Sequence, residues 1–334
     1  MSDDLIHDYY RPLTGPRGPR LAGGWARIAM AEHLRRDAPP RTVPLGQVPV
    51  EWRNGWAAPR RNLAGIGFGA PGLIGVLNLT PDSFTDGGRW QGEAALDHAR
   101  ALHAAGAAII DIGGESTRPG AQEISVAEEI DRILPAVTTL AAEGIAISVD
   151  TRKAAVARAA LTAGAKLVND VSGLDFDPEM AQVVAQTGAG LIIMHSRGEP
   201  STMQDAPHYD NVVLDVFDEL AHKVLRAEDA GVKRGRIVID PGIGFAKNTA
   251  HNLEILRNIS IFHGLGCALC LGVSRKRFIG EIGGGAPTDA REPGTQALTL
   301  AAIAQGVQMH RVHDVAGAAQ ALALWRAAEA TESA

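Results

Sequence analysis

The chain has 334 residues, 46% hydrophobic and 21% charged, with two cysteines and a net charge of −6. That composition supports a sizeable core and excludes a disulfide framework, a four-cysteine zinc site and a nucleic-acid binder of the basic-patch kind. No run reaches the roughly 18 uninterrupted apolar residues of a membrane helix, and the acidic start MSDDLIHDYYRP is no secretory signal, so a soluble cytoplasmic protein is expected.

The first 72 residues stand apart. They hold ten Arg and no Lys against six acidic residues, a balance of +4, which leaves −10 for the remainder. Three of the five tryptophans, Trp25, Trp52 and Trp56, lie there. Disordered tails are poor in aromatics, so this stretch reads as an irregular extension anchored to the main body by its tryptophans. Within it AGGWARIAMAEHLRRD suggests one helix, and RTVPLGQVPVEW a short extended piece. The division expected is an extension over 1–72 and a catalytic domain over 73–334.

From residue 73 short apolar runs alternate with Ala-rich amphipathic segments. The runs are 73–78, 107–112, 145–150, 165–170, 190–195, 236–240, 268–273 and 308–313. They are continuous rather than alternating, as parallel strands covered on both faces require. The segments between them, such as GEAALDHARALHAAG, AEEIDRILPAVTTLAAEG and RKAAVARAALTAG, end at Gly, a good helix stop. Eight βα units in about 260 residues have the size and count of a (β/α)8 TIM barrel, an α/β fold. A doubly wound sheet competes, but LNLTPDS after the first strand is not a Gly-rich dinucleotide turn.

Nearly every run ends in polar residues: Asn78, Asp111, Asp150, Asn169 with Asp170, His195, Asp240, Ser274-Arg275-Lys276, and Arg311 with His313. Helix capping accounts for any one of these. It does not account for eight in register that include Lys, Arg and His, whereas a polar mouth at the strands' C-terminal ends does. Asp150, Asn169 and Asp240 supply the acceptors and amide that read a heterocycle rich in N–H donors. Lys276, Arg118, Arg311 and His313 suit an anionic group such as a phosphate or carboxylate. Asn78, an uncharged oxygen ligand, suits a Mg²⁺ ion that keeps most of its waters and leans on substrate phosphates. Of His310 and His313, strand alternation lets only one share the inward face with Arg311, and His313 has the matching parity.

At these residues the sequence resembles the dihydropteroate synthases. LIGVLNLTPDSFTDGG and AAIIDIGGESTRPGA are similar to the two signatures of that family. ISVDTRK, LVNDVSG, LIIMHSRGEP with TMQ, IDPGIGFAK with HNLEIL, GVSRKRFIG and HRVHDV follow in the family's order, covering 73 to about 325. The resemblance implies a transferase of folate biosynthesis that condenses 6-hydroxymethyl-7,8-dihydropterin diphosphate with 4-aminobenzoate and releases pyrophosphate. It implies that Asp150, Asn169, Met194, Asp240, Phe245, Gly272, Lys276 and Arg311 hold the pterin. It likewise implies that Asn78, Arg118, Arg311 and His313 serve the pyrophosphate and Mg²⁺. Two loops that close over the site would bring Phe84, Thr117 and Pro119 to the aminobenzoate, with Arg277 standing where many relatives carry a Ser. Asp150, Asp240, Lys276, Arg311 and His313 are thus the expected catalytic set. A homodimer is implied too, through late helices such as TQALTLAAIAQG and AGAAQALALWRAAEA.

Two rival readings are a pterin-binding domain that presents methyl-tetrahydrofolate to a corrinoid protein, and a non-catalytic barrel. The first shares the pterin-holding acids but needs neither the pyrophosphate cations nor STRPG and SRK. Cys267 and Cys270 form a CxxC inside an apolar strand rather than before a helix, which favours plain core residues over a redox pair. GIGFAK lacks the full phosphate-loop pattern, and His98 and His103, five apart on a helix, miss the spacing of a metal pair.

Overall fold

The computed structural model describes residues 7–80, 92–116, 123–198 and 207–329. The N-terminal region opens with an antiparallel three-stranded sheet, β1 (Tyr9–Arg20), β2 (Arg27–Leu34) and β3 (Arg41–Val43), followed by the short helix α1 (Val50–Ala57). The helix expected in AGGWARIAMAEHLRRD is therefore a strand. Its Ala, Glu and Arg favour helix locally, but pairing with β1 turns Ile28 and Ala31 inward against Tyr10 and Trp56, and that packing outweighs propensity.

This region is fastened to the main body at several points. Trp52 stacks on Phe217 at 5.6 Å between ring centroids, and Trp25 donates its indole N–H to the Ile303 carbonyl at 2.8 Å. Arg36 pairs with Asp215 and Asp218 at 2.6 and 2.7 Å. Leu63, Ile66 and Phe68 go further inward. They form one buried cluster with Ile74, Ile109, Leu167, Ile192, Val238 and Met309, so the segment just before the barrel plugs its interior.

Eight parallel strands then close on themselves: β4 (Gly72–Asn78), β5 (Ala107–Gly113), β6 (Ile147–Asp150), β7 (Leu167–Asp170), β8 (Gly190–Met194), β9 (Ile237–Asp240), β10 (Ala268–Leu271) and β11 (Met309–Val312). Each coincides with one of the eight apolar runs. The barrel helices are α2 (Glu93–Ala104), α3 (Val126–Ala142), α4 (Ala154–Thr162), α5 (Met180–Thr187), α6 (Val212–Asp229), α7 (Thr249–Arg257), α8 (Arg277–Ile282), α9 (Glu292–Ala304) and α10 (Val315–Glu329). Gly106, Gly144 and Gly164 follow α2, α3 and α4 at φ of 112°, 83° and 117°, a region a side chain rarely tolerates, so the helices stop there and the next strand begins.

Burial on both faces explains the unbroken apolar strands: Ile110, Ile147, Val149, Leu191, Ile193 and Ile239 are fully buried. Cys267 and Cys270 are buried free thiols, and burial pushes the Cys267 thiol up to about 12, which suits packing rather than redox chemistry. Among the described residues no helix is long and apolar enough to cross a membrane.

Candidate active site

The C-terminal ends of the strands open into a cavity of about 560 Å³. Parallel strands in register bring their last residues to one level: Asn78 lies beside Gly113, Gly113 beside Asp150, Asp150 beside Asn169, and Met194 beside Asp240. Asn78 and Asp240, 162 positions apart in sequence, thus open on one cavity because the closed sheet brings all its strand ends to one mouth.

Arg311 organises the floor. Its Nε donates to Asp111 Oδ2 at 2.6 Å and its Nη2 to Asp150 Oδ2 at 2.8 Å, while Asn169 Nδ2 donates to Asp111 Oδ2 at 3.2 Å. Asp111 Oδ1 and Asp150 Oδ1 are buried with no partner among the described residues. Such an oxygen carries a desolvation cost until a donor reaches it. Burial lifts the Asp150 carboxyl to about 7 even though Arg311 draws it down, and neighbouring Asp111 adds to the rise. Asp240 is also raised by burial, opposed by the Gly242 N–H donated to its Oδ1 at 2.7 Å and by Lys276.

The side walls combine cation and ring. Lys276 Nζ lies 4.2 Å from the centroid of the Phe245 ring, a cation–π contact. Ser274 Oγ is 2.8 Å from His313 Nδ1. Met194, Gly272, Arg277 and Arg311 complete the lining, and Arg277, largely exposed, also pairs with Glu281 at 3.0 Å. Gly272 lies against Asp240, where a methyl would make ordinary contact at 3.7 Å with Oδ2.

Every described member of the expected set lines this one cavity: Asn78, Asp150, Asn169, Met194, Asp240, Phe245, Gly272, Lys276, Arg277, Arg311 and His313. Phe84, Thr117, Arg118 and Pro119 lie outside the described residues. His310 is buried below, its Nε2 at 3.0 Å from the Val307 carbonyl, and only His313 reaches the mouth.

Three polar strand ends do not line the cavity, and one of them, Asp111, is buried behind Arg311. Asp170 is absorbed locally, accepting from Ser172 N, Ser172 Oγ and Leu174 N at 2.9, 2.6 and 2.8 Å to shape the next turn. His195 is fully buried, between Glu219 at 3.0 Å and Lys247 at 2.8 Å. Sequence reasoning missed Lys247, Asn252 and Glu115, all of which line the cavity. Of the three only Lys247 falls in GIGFAK, which lacks the full phosphate-loop pattern, and nothing in that stretch marks the lysine as a cavity residue.

A parallel barrel that gathers buried carboxylates, an amide and cations at the mouth of its strands is an enzyme architecture for a small polar ring with an anionic arm. The chain belongs to the pterin-binding enzyme family, whose profile matches residues 74–313. It is 46% identical over 257 residues to the dihydropteroate synthase of Mycobacterium leprae, a match covering 75% of this chain and 90% of that one. Among solved structures, the dihydropteroate synthase of Yersinia pestis in complex with a sulfonamide drug superposes with a TM-score of 0.77 at 40% identity, covering 80% of this chain and 97% of that one. The Xanthomonas albilineans dihydropteroate synthase with 4-aminobenzoic acid gives 0.75 at 42% identity, again over 80% and 97%.

Proposed function

We propose that this chain is a transferase of folate biosynthesis that joins 6-hydroxymethyl-7,8-dihydropterin diphosphate to 4-aminobenzoate, forming 7,8-dihydropteroate and pyrophosphate. The observation that carries the reading is the acid-and-amide floor of Asp150, Asn169 and Asp240 beside Lys276, Arg311 and His313 in one cavity. The floor accepts the amino–imino edge of the pterin, with Met194 and Phe245 as apolar walls and Gly272 beside Asp240.

The chemistry follows from charge. As the bond from the pterin methylene to the diphosphate oxygen breaks, positive charge spreads into the ring and negative charge gathers on the leaving group. A carboxylate whose charge is costly in the empty site gains most when that ring cation forms, so Asp150 stabilises the transition state more than the bound substrate. Arg311 and His313 face the departing pyrophosphate. The aromatic amine attacks the methylene carbon with its own lone pair and then gives up a proton, so no Ser or Cys nucleophile is required. Phe84, Thr117, Arg118, Pro119 and Arg277 would receive the aminobenzoate and the outer phosphates.

The residues present fit a Mg²⁺ ion held mainly by substrate. Asn78, on the cavity wall, offers one amide oxygen that makes no hydrogen bond among the described residues. When bound, the ion supplies neutralising charge to the phosphates. Homodimerisation through α9 and α10 is part of the proposal, supported by Leu324 on α10, which is 67% exposed. So are a cytoplasmic setting, small-molecule partners rather than nucleic acid or membrane, and an accessory role for residues 1–72 beside the 73–334 catalytic domain.

The test is direct: incubate the chain with the pterin diphosphate, 4-aminobenzoate and Mg²⁺, and follow pyrophosphate together with dihydropteroate. Asp150→Asn and Lys276→Ala should remove turnover while leaving the circular dichroism spectrum unchanged. No pyrophosphate release at saturating substrates overturns the reading.

A further inference from the structure

Beneath the cavity, residues 241–247 make an unusual turn after β9. Gly242, Gly244 and Ala246 have φ of 68°, 81° and 49°, three left-handed residues within five positions. One backbone bond closes it, Phe245 N to the Gly242 carbonyl at 3.1 Å, and side chains pin the rest. Gly244 N donates to Asn252 Oδ1 at 2.8 Å, and the Tyr209 hydroxyl donates to the Ala246 carbonyl at 3.0 Å.

The central pin is Lys247. Its Nζ donates to the Gly242 carbonyl at 3.1 Å, the Phe245 carbonyl at 2.9 Å and His195 Nδ1 at 2.8 Å. Three protein acceptors meet the Nζ, as many as an ammonium has N–H groups, while burial draws the Lys247 amine down to about 7. Lys247 therefore borders the cavity without a donor left for a ligand. Because His195 accepts at Nδ1, its proton sits on Nε2 and is donated to Glu219 Oε2 at 3.0 Å, which leaves the imidazole neutral. Burial and the adjacent Lys247 charge hold His195 down to about 3, consistent with a neutral ring. Glu219 is in turn paired with Arg197, whose guanidinium lies 4.0 Å from the centroid of the Tyr209 ring. The chain Arg197–Glu219–His195–Lys247 runs from α6 to the two carbonyls of the turn.

That turn carries two expected pterin contacts. Phe245 meets Lys276, and the Gly242 N–H engages Asp240 Oδ1, leaving Oδ2 beside Gly272. We propose that Lys247 is a positioning residue for pterin recognition: by saturating the carbonyls of Gly242 and Phe245 it fixes the turn so that Phe245 and Asp240 meet the ring together. This rests on the dihydropteroate reading above, and deepens it. The role is separate from that of Lys276, which faces the cavity directly.

The experiment compares the full chain with Lys247→Met, which keeps length and loses all three donors, and with Lys247→Gln, which keeps two. The readouts are the Kd of the pterin diphosphate with Mg²⁺ by calorimetry and the KM of each substrate. Lys247→Met should raise the pterin Kd and KM at least tenfold while leaving the aminobenzoate KM within twofold, and Lys247→Gln should fall between it and the unsubstituted chain. A residue that served only the general fold would move both KM values and show no graded order. Should Lys247→Met not accumulate as soluble protein, Lys247→Gln alone carries the test, with at least a threefold rise confined to the pterin. Pterin affinity within twofold of the unsubstituted chain in either variant overturns the inference. Failure of the unsubstituted chain to bind the pterin at all overturns the underlying reading instead.

Discussion

Replacing Asp150 by Asn should make the protein more stable at alkaline pH while abolishing its activity. Burial lifts this carboxyl from 3.8 to about 7, with Arg311 opposing and Asp111 adding to the rise. Three pH units correspond to about 4 kcal/mol of penalty for holding the charge in the folded state above pH 7. The sign follows from proton linkage. The folded protein binds this proton more tightly than the unfolded chain, so the cost is absent below about pH 4, grows as pH rises to about 7, and is constant beyond. Asn escapes that cost but still has a buried amide to satisfy, at about 1–2 kcal/mol. The variant should therefore be more stable by about 2 kcal/mol at pH 8 and should lose that advantage near pH 5. Denaturant unfolding followed by tryptophan fluorescence at both pH values measures the difference, and pyrophosphate release measures activity, which should fall at least about a hundredfold. A stability difference equal at pH 5 and pH 8 would refute the argument, because it would mean that Asp150 carries no raised pKa.

Other outcomes follow from the same geometry. Gly242→Ala should sharply lower soluble yield and melting temperature, because its methyl would lie 1.9 Å from the His195 carbonyl oxygen at a φ of 68°. Ala246→Gly, at a φ of 49°, should leave stability within about 1 kcal/mol in a thermal melt, since relief of left-handed strain is offset by the lost buried methyl and the freer unfolded chain. Trp56→Ala, at a fully buried site in the N-terminal region, should cost about 3–5 kcal/mol in chemical unfolding while leaving kcat unchanged in the protein that remains folded.

Much of the barrel was legible in the chain. Eight apolar runs bounded by Gly and polar residues mark parallel strands buried on both faces, and their count, with no dinucleotide turn after the first, favours a barrel over a doubly wound sheet. The polar strand ends were equally readable as a group, and the motifs that resemble the dihydropteroate synthases named individual members. The tertiary structure decided how those members divide. Asp170 and His195 follow their strands much as Asp150 and Asp240 do, yet one shapes a turn and the other lies beneath the cavity. Asp170 is taken by the turn that follows it, and His195 by Glu219 and Lys247, 24 and 52 residues on. Lys247 shows the converse, since its three acceptors come from two strands' connections, and no local pattern distinguishes it from a surface lysine.

The N-terminal region marks the other boundary. Its tryptophans and arginines indicated an ordered piece docked on the main body, but residues 27–34 carry helix-favouring Ala, Glu and Arg and still form a strand. Sequence alone determined that a (β/α)8 barrel with a polar mouth would form, because periodicity and burial act over short stretches. Only the tertiary structure decided that Leu63, Ile66 and Phe68 fill the barrel's interior and that Arg311 joins Asp111 to Asp150, because contacts between distant segments are set by closure of the sheet rather than by local preference.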